Sequence, residues 1–406
     1  MQDGADELRD PLQQVFAFVD LELGRATHCP DSHRGFLPYG VPGQPIDAPH
    51  GARRGRTSGG AAFRDGRRES DVRDTGVADE NRRDGRDRPP VWSPPGTGQP
   101  GTGSSMRIVV PPSFVEERVR LAGPDAHAWL ERLPDFVAEL ARQWAVEVLP
   151  DPPRHGAHSL VLAARRGAQP CVLKVCWDPA STAMEADALR AWDGRGIVRL
   201  LAARPEEGAL LLERLDAGRS LGDVELYEAA GIAGGLLRRL TVPRTADQPL
   251  PAGTPRLADL GAEIAATVHE RQRRLGFPVP ARWIDRVATA ARDLAADAGS
   301  DLVHADLHYG NVLAAEREPW LAIDPKPVAG DPEFAVPELM WTRVDEAPDA
   351  WAIRELLGVL TAAGDLDPDR ARAWAIVRAV DYWLWGLGVG LTIDPPRCER
   401  VVAALV

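Results

Sequence analysis

The sequence predicts an α+β chain in which a small β-rich lobe precedes a larger helical lobe, with a cleft between them. Three observations carry that expectation. Short apolar runs of β type, at 159–164 (SLVLAA), 171–177 (CVLKVCW), 198–203 and 209–214 (ALLLER), cluster before Asp216. Helical periodicity dominates after it, at about 222–240, 256–274, 280–298, 349–363, 367–390 and 396–405. Segment 301–332 interrupts those helices with two short β runs. A small sheet followed by a helical body is one layered arrangement that leaves a cleft at the junction.

The elements follow in chain order. From Gly51 to Ser105 the residues are mainly Gly, Pro, Arg, Asp and Ser, in runs such as NRRDGRDRPP and SPPGTGQPGTGSS. Such a stretch buries too little apolar surface to offset its chain entropy. Residues 11–25 are more apolar but stand without a partner element. Residues 1–105 are therefore expected to be a disordered or spurious extension, with Met106 as the true start. The lobes are expected at 106–216 and 217–406. Asp125 can cap a helix over 126–144, broken or bent near Pro134. RRGAQP forms the turn between the first two strands, and a helix covers 180–192 (ASTAMEADALRAW).

Composition narrows the function classes. With 406 residues and 44% hydrophobic content there is material for a large core. A net charge of −12 argues against a nucleic-acid binder and suits a cationic small molecule. Cys29, Cys171, Cys176 and Cys398 form no metal-type spacing, and a reduced, cytoplasmic setting is the natural reading. No stretch approaches the roughly 18–20 apolar residues of a membrane span, and MQDGADELRD lacks the apolar core of a signal peptide. Only two lysines occur, Lys174 and Lys326, amid abundant arginine. A site that needs a compact point charge cannot use a planar guanidinium, so both lysines are worth following.

LVHADLHYGNVLAA at 302–315 fits H-x-D-L-x-x-x-N through His304, Asp306, Leu307 and Asn311. Phosphoryl transfer to a hydroxyl needs a carboxylate that orients the nucleophile and accepts its proton, which is the role expected of Asp306. A neutral amide a few residues on, Asn311, can complete a Mg²⁺ shell without crowding that carboxylate. A polar loop with Asp306 as turn former is the plain alternative. WLAIDPKP at 320–327 ends an apolar strand in Asp324, where a second metal ligand belongs. Lys174 lies mid-strand, opposite Leu173 and Val175 by alternation, as a phosphate-binding lysine would. Glu185 shares a helical stripe with Leu189 and Trp192 and is its natural partner. Nucleotide contacts are weaker: Gly156 is a lone glycine before a strand, and Glu213 and Leu215 lie on the segment that could meet an adenine. Lys326 fits either support of a transferring phosphate or an ion pair with Asp324.

From about residue 106 onward the chain resembles the aminoglycoside and hydroxyurea antibiotic-resistance kinases. The resemblance rests on VLKV (172–175), GALLLERL (208–215), HADLHYGNVL (304–313) and EPWLAIDPKPVAGDPEF (318–334). It implies a protein-kinase-like bilobal fold, a nucleotide-binding first lobe, and O-phosphorylation of streptomycin at position 6 with ATP and Mg²⁺; a monomer is expected. By position it makes Asp306 the base, Asn311 and Asp324 the metal ligands, and Lys174 the phosphate lysine. Asp331, Glu333, Glu338 and Asp381 are substrate candidates, since carboxylates pair with guanidinium groups. Tyr382, Trp383 and Trp385 beside Asp381 fit core packing better than stacking on a drug. A kinase of hydroxyurea or of a polyol, and a silent kinase-like binder, are the competing readings.

Overall fold

The computed structural model describes residues 108–241 and 250–406. The expectations for residues 1–105, and for Met106 as the start, lie outside the described residues. The first elements are two helices, α1 (Pro112–Ala122) and α2 (Asp125–Gln143). No pattern in the residues places α1, whose start is blurred by paired prolines. α2 is continuous through Pro134, so the proline does not break the helix, the first of the two expected alternatives (break or bend). Its apolar positions Ala126, Leu130, Leu133, Val137 and Leu140 recur at helical spacing and bury against the sheet. Burial of such side chains at about 1.5–3 kcal/mol each outweighs the roughly 3 kcal/mol a mid-helix proline costs.

The sheet is built from β1 (Glu147–Val148), β2 (Arg154–His155), β3 (Ser159–Arg166), β4 (Gln169–Cys176), β5 (Leu200–Arg204) and β6 (Ala209–Glu213). Its antiparallel order is β1-β3-β4-β6-β5, with β2 also on β3. Between β4 and β5 lies α3 (Pro179–Trp192), capped by Asp178, whose carboxylate accepts the Ala180 and Ser181 amides. Strand alternation decides what each face meets. Leu160, Leu162, Leu173, Val175 and Ala209 pack under α1 and α2. Lys174, opposite Leu210 in the β4–β6 register, belongs to the other face, where α3 lies.

The remaining strands are β7 (Asp216–Ser220), β8 (Asp301–His304), β9 (Val312–Ala314), β10 (Trp320–Ala322) and β11 (Pro327–Gly330). The helical body comprises α4 (Leu226–Leu240), α5 (Leu257–Arg274), α6 (Ala281–Ala296), α7 (Val336–Trp341), α8 (Ala350–Gly364), α9 (Pro368–Gly388) and α10 (Asp394–Leu405). All six helices expected after Asp216 form. The 301–332 segment holds four strands rather than two, each too short to establish a period. They pair as β10-β9-β7 and β11-β8.

The hydrophobic core does not break at residue 216. Ala186, Leu189 and Trp192 of α3, with Leu210 and Leu212 of β6, belong to the same buried cluster as the helical body. Polar bonds reinforce that continuity. Trp192 Nε1 donates to the Leu240 carbonyl at 2.7 Å, the Val198 amide to Ala322 at 2.9 Å, and Arg317 to the Ile197 carbonyl at 2.6 Å.

Gly208 closes the β5–β6 turn at φ 77°, and a Cβ there would lie 2.4 Å from the Cys176 carbonyl oxygen. That carbonyl is backbone and cannot rotate away. Gly208→Ala should therefore lower the free energy of unfolding by at least about 2 kcal/mol in urea titration, whereas a loss below about 0.5 kcal/mol would mean that the turn relaxes freely.

Candidate active site

The loop carrying Asp306 rises from the end of β8. There Pro327 of β11 stands opposite His304, and the Ala305 amide donates to the Lys326 carbonyl at 2.9 Å. His304 is buried and bridges two segments. Its Nδ1 accepts the Asp306 amide at 3.2 Å, and its Nε2 donates to the Ile323 carbonyl at 3.0 Å. Those partners require a neutral ring with the proton on Nε2. Burial pushes the pKa of His304 down, which favours the same state. His308, also lowered by burial, accepts the Gly310 amide on Nδ1 at 3.1 Å and opens the short turn Tyr309–Asn311. Asn311 Nδ2 then donates back to the Asp306 carbonyl at 3.0 Å. The amide nitrogen is thereby engaged, and its oxygen is the atom left for a cation.

The Asp306 carboxylate is almost wholly buried, and its two oxygens differ. Oδ2 pairs with Lys326 Nζ at 2.9 Å. Oδ1 has no hydrogen-bond partner among the described residues. A buried acceptor without a donor is costly, so the arrangement suits a group whose partner arrives with a substrate. The sequence leaves Lys326 between a phosphate contact and an ion pair with Asp324; the structure pairs it with Asp306.

Lys174 reaches across from β4. Its Nζ donates to both Glu185 oxygens, at 2.9 and 2.8 Å, and also to Asp324 Oδ1. Burial alone would lower the lysine pKa, but Asp324 and Glu185 together hold it well above its ordinary value. Burial pushes the Glu185 carboxyl up to about 7 against the pull of Lys174. Burial also acts to raise Asp324, yet Lys174 and then Lys326 outweigh it and keep this carboxyl well below the usual range. Asp324 sits past β10 at φ 56°, a left-handed conformation unusual for a residue with a side chain. Such strain costs on the order of 1–3 kcal/mol and concentrates at functional sites.

The other expected nucleotide contacts are placed differently. Gly156 lies in the tight β2–β3 hairpin, its amide donating to the Ser159 carbonyl at 3.1 Å. The Glu213 carboxylate is occupied by Arg317 at 3.0 Å and by the Arg199 amide at 3.1 Å, and its own amide donates to the Arg199 carbonyl at 2.9 Å. Leu215 is half-buried between β6 and β7, packed on the larger core.

The four acids read as substrate contacts serve the fold instead. Asp331 accepts the Gly299 amide at 2.8 Å and Trp374 Nε1 at 2.8 Å, and pairs with Arg370 at 2.6 Å. Glu333 accepts the Asp367 amide at 3.0 Å, just before α9. Asp381 is wholly buried and pairs with Arg271. Glu338 pairs with Arg378 at 2.8 Å, both side chains fully enclosed. Each carboxylate is needed where it stands, because an unpaired buried charge is strongly destabilising. Tyr382 stacks on Trp341 with ring centroids 4.9 Å apart, and Trp383 is buried against Trp283, as core packing requires. Arg378 passes unnoticed in the sequence, although it and Glu338 are each a single charge in an apolar run (AIVRAV, VPELMW).

Residues 143–390 match the family described as Aminoglycoside/hydroxyurea antibiotic resistance kinase. The chain belongs to this family. Hydroxyurea phosphotransferase of Kitasatospora aureofaciens is 39% identical over 303 residues, covering 74% of this chain and 86% of that protein. Streptomycin 6-kinase of Streptomyces glaucescens is 36% identical over 313 residues, covering 74% of this chain and 98% of its own. Among solved structures, a thermostable mutant of aminoglycoside phosphotransferase APH(4)-Ia in complex with ADP and hygromycin B is 17% identical. It covers 66% of this chain and 97% of its own, with a TM-score of 0.46. The family and these curated relatives make the chain a small-molecule kinase. No helix among the described residues is long and apolar enough to cross a membrane.

A kinase needs a divalent cation beside the phosphates, and the donor set here fits Mg²⁺. Asn311 and Asp324 offer oxygen atoms, as a hard cation prefers. No cluster of three or more His, Cys, Asp or Glu suited to a metal occurs among the described residues.

The His304 bridge makes an acid-side prediction. Its folded pKa lies below the ordinary 6.5, so its contribution to stability is present above that value and lost as pH falls through the folded pKa. The kinase should unfold at lower urea concentration at pH 5.5 than at pH 7.5, and His304→Gln should shrink that difference. An unchanged difference in the variant would show that the ring titrates freely.

Proposed function

We propose that this kinase is an ATP-dependent O-phosphotransferase that modifies an aminoglycoside, streptomycin at its position 6, and thereby confers resistance. The reading rests chiefly on Asp306: a buried carboxylate with one oxygen held by Lys326 and the other without a hydrogen-bond donor. Asp306 Oδ1 orients the acceptor hydroxyl and takes its proton as the oxygen attacks phosphorus. Lys326 holds the carboxylate in one rotamer. Lys174, fixed by Glu185, grips the nucleotide phosphates, and the backbone of 213–215 meets the adenine. Asn311 and Asp324 hold Mg²⁺, which supplies neutralisation of charge on the phosphates.

Substrate choice draws on the relatives and on charge. Streptomycin 6-kinases are matched over 98% of their length, and a net charge of −12 favours a cationic acceptor. A second reading, phosphorylation of hydroxyurea, is favoured by the 39% identity to hydroxyurea phosphotransferase. Both use the same Asp306 chemistry and differ only in the acceptor.

A coupled assay of nucleotide turnover with streptomycin, other aminoglycosides, hydroxyurea and simple polyols separates the two. Streptomycin should stimulate turnover, with NMR placing the phosphate on its 6-hydroxyl. Stimulation by hydroxyurea alone would favour the second reading, and no stimulation by any compound would favour a silent binder. Asp306→Asn should lower kcat by at least about 100-fold while nucleotide affinity stays within about threefold.

A further inference from the structure

Behind the catalytic loop, α9 carries a charge that the phosphotransfer reading leaves unused. Arg378 is wholly buried, and its guanidinium makes directed contacts with two carbonyls and a carboxylate. Its guanidinium donates to the Ala305 carbonyl at 3.2 Å, the Phe334 carbonyl at 2.9 Å and Glu338 Oε1 at 2.8 Å. Its planar face lies over Phe334, 4.3 Å from the ring centroid, and 5.5 Å from that of Trp341.

Ala305 immediately precedes the base, and the polar backbone groups of both residues are accounted for. The Ala305 amide donates to Lys326, its carbonyl accepts from Arg378, the Asp306 amide donates to His304, and the Asp306 carbonyl accepts from Asn311. Three of these four partners belong to the loop or to its β8–β11 stem. Arg378 ties the loop to the helical body. Burying an ion pair here is expensive, and apolar residues of similar volume would fill the space at lower cost. What they could not supply is a rigid fork reaching two carbonyls and a carboxylate at once.

We propose that Arg378, with Glu338 as its counter-charge, is a positioning residue for phosphoryl transfer: it fixes the peptide that aims Asp306 at the acceptor hydroxyl. The proposal rests on Asp306 acting as the base. A displacement of about 1 Å at that carboxylate is enough to slow the chemical step by up to about 100-fold.

The test uses the full chain with ATP and whichever acceptor the wild type turns over. Arg378→Lys keeps the charge but cannot span all three acceptors. The double variant Arg378→Met/Glu338→Leu removes both charges and leaves no lone buried ion. In each, kcat should fall at least about tenfold while the nucleotide KM stays within about threefold. A kcat within about twofold of wild type in either folded variant overturns the proposal. If the double variant does not fold, Arg378→Lys decides alone. A merely structural lesion is separated by repeating Arg378→Lys in the Asp306→Asn background. There the substitution should lower the residual turnover no further, and a second full drop overturns the positioning role. Wild-type-like turnover in Asp306→Asn itself overturns the base assignment and this proposal with it. A collapse with Asp306→Asn but none with Arg378→Lys sinks only the latter.

Discussion

The site depends on one buried ammonium group held by two carboxylates from distant parts of the chain. Lys174 comes from the middle of the sheet, Glu185 from the helix packed on it, and Asp324 from the strained turn beyond β10. Neither Lys174 nor Glu185 would be tolerable alone in such a place, since an isolated buried charge costs several kcal/mol. Together they fix how the sheet face, α3 and the turn after β10 stand to one another. The continuous core, the Trp192–Leu240 bond and the β10 contacts with 196–198 hold the same three segments from outside. Charge pairing and hydrophobic packing specify one geometry, which is the consistency expected of a well-defined native state.

The catalytic loop is organised on a different plan. Its backbone polar groups are engaged by His304, Lys326, Arg378 and Asn311, while one carboxylate oxygen of Asp306 is kept without a donor. Leu307 and Tyr309 anchor the loop in the larger core, and the hydrogen bonds fix the course of its backbone between those anchors. The burial that lowers the pKa of His304 and His308 also keeps both rings as neutral acceptors, the state that their bonds to Asp306 and Gly310 demand.

Much of this is legible in the sequence, for identifiable reasons. The long helices announce themselves by period, and the alternation of VLKV puts Lys174 on the α3 face opposite Leu173 and Val175. The Glu185, Leu189, Trp192 stripe likewise predicts an inward carboxylate. Strands of three or four residues carry no period, so two of the four in 301–332 escape notice, as does α1 behind its prolines. The four acids Asp331, Glu333, Glu338 and Asp381 are misread because sequence distance to a motif does not reveal who stands across the fold. Their partners Arg370, Asp367, Arg378 and Arg271 are 34 to 110 residues away, or lie on another helix. The same blindness hides Arg378, and it leaves Lys326 open between a phosphate contact and an ion pair with Asp324, where the structure shows an ion pair with Asp306.

The scarcity of lysine has a practical consequence once both residues are located. Lys174 and Lys326 are the only lysines in the chain, and both contact carboxylates of the candidate site. An amine-acylating reagent therefore has no bystander side chains to modify: apart from the terminal amine, every label falls on this site and erases a charge there. Lys326 is the more exposed of the two, with 21% of its side chain accessible against 8% for Lys174. In most proteins such chemistry is a surface stain; in this one it is a titration of the machinery, readable by mass on the intact chain.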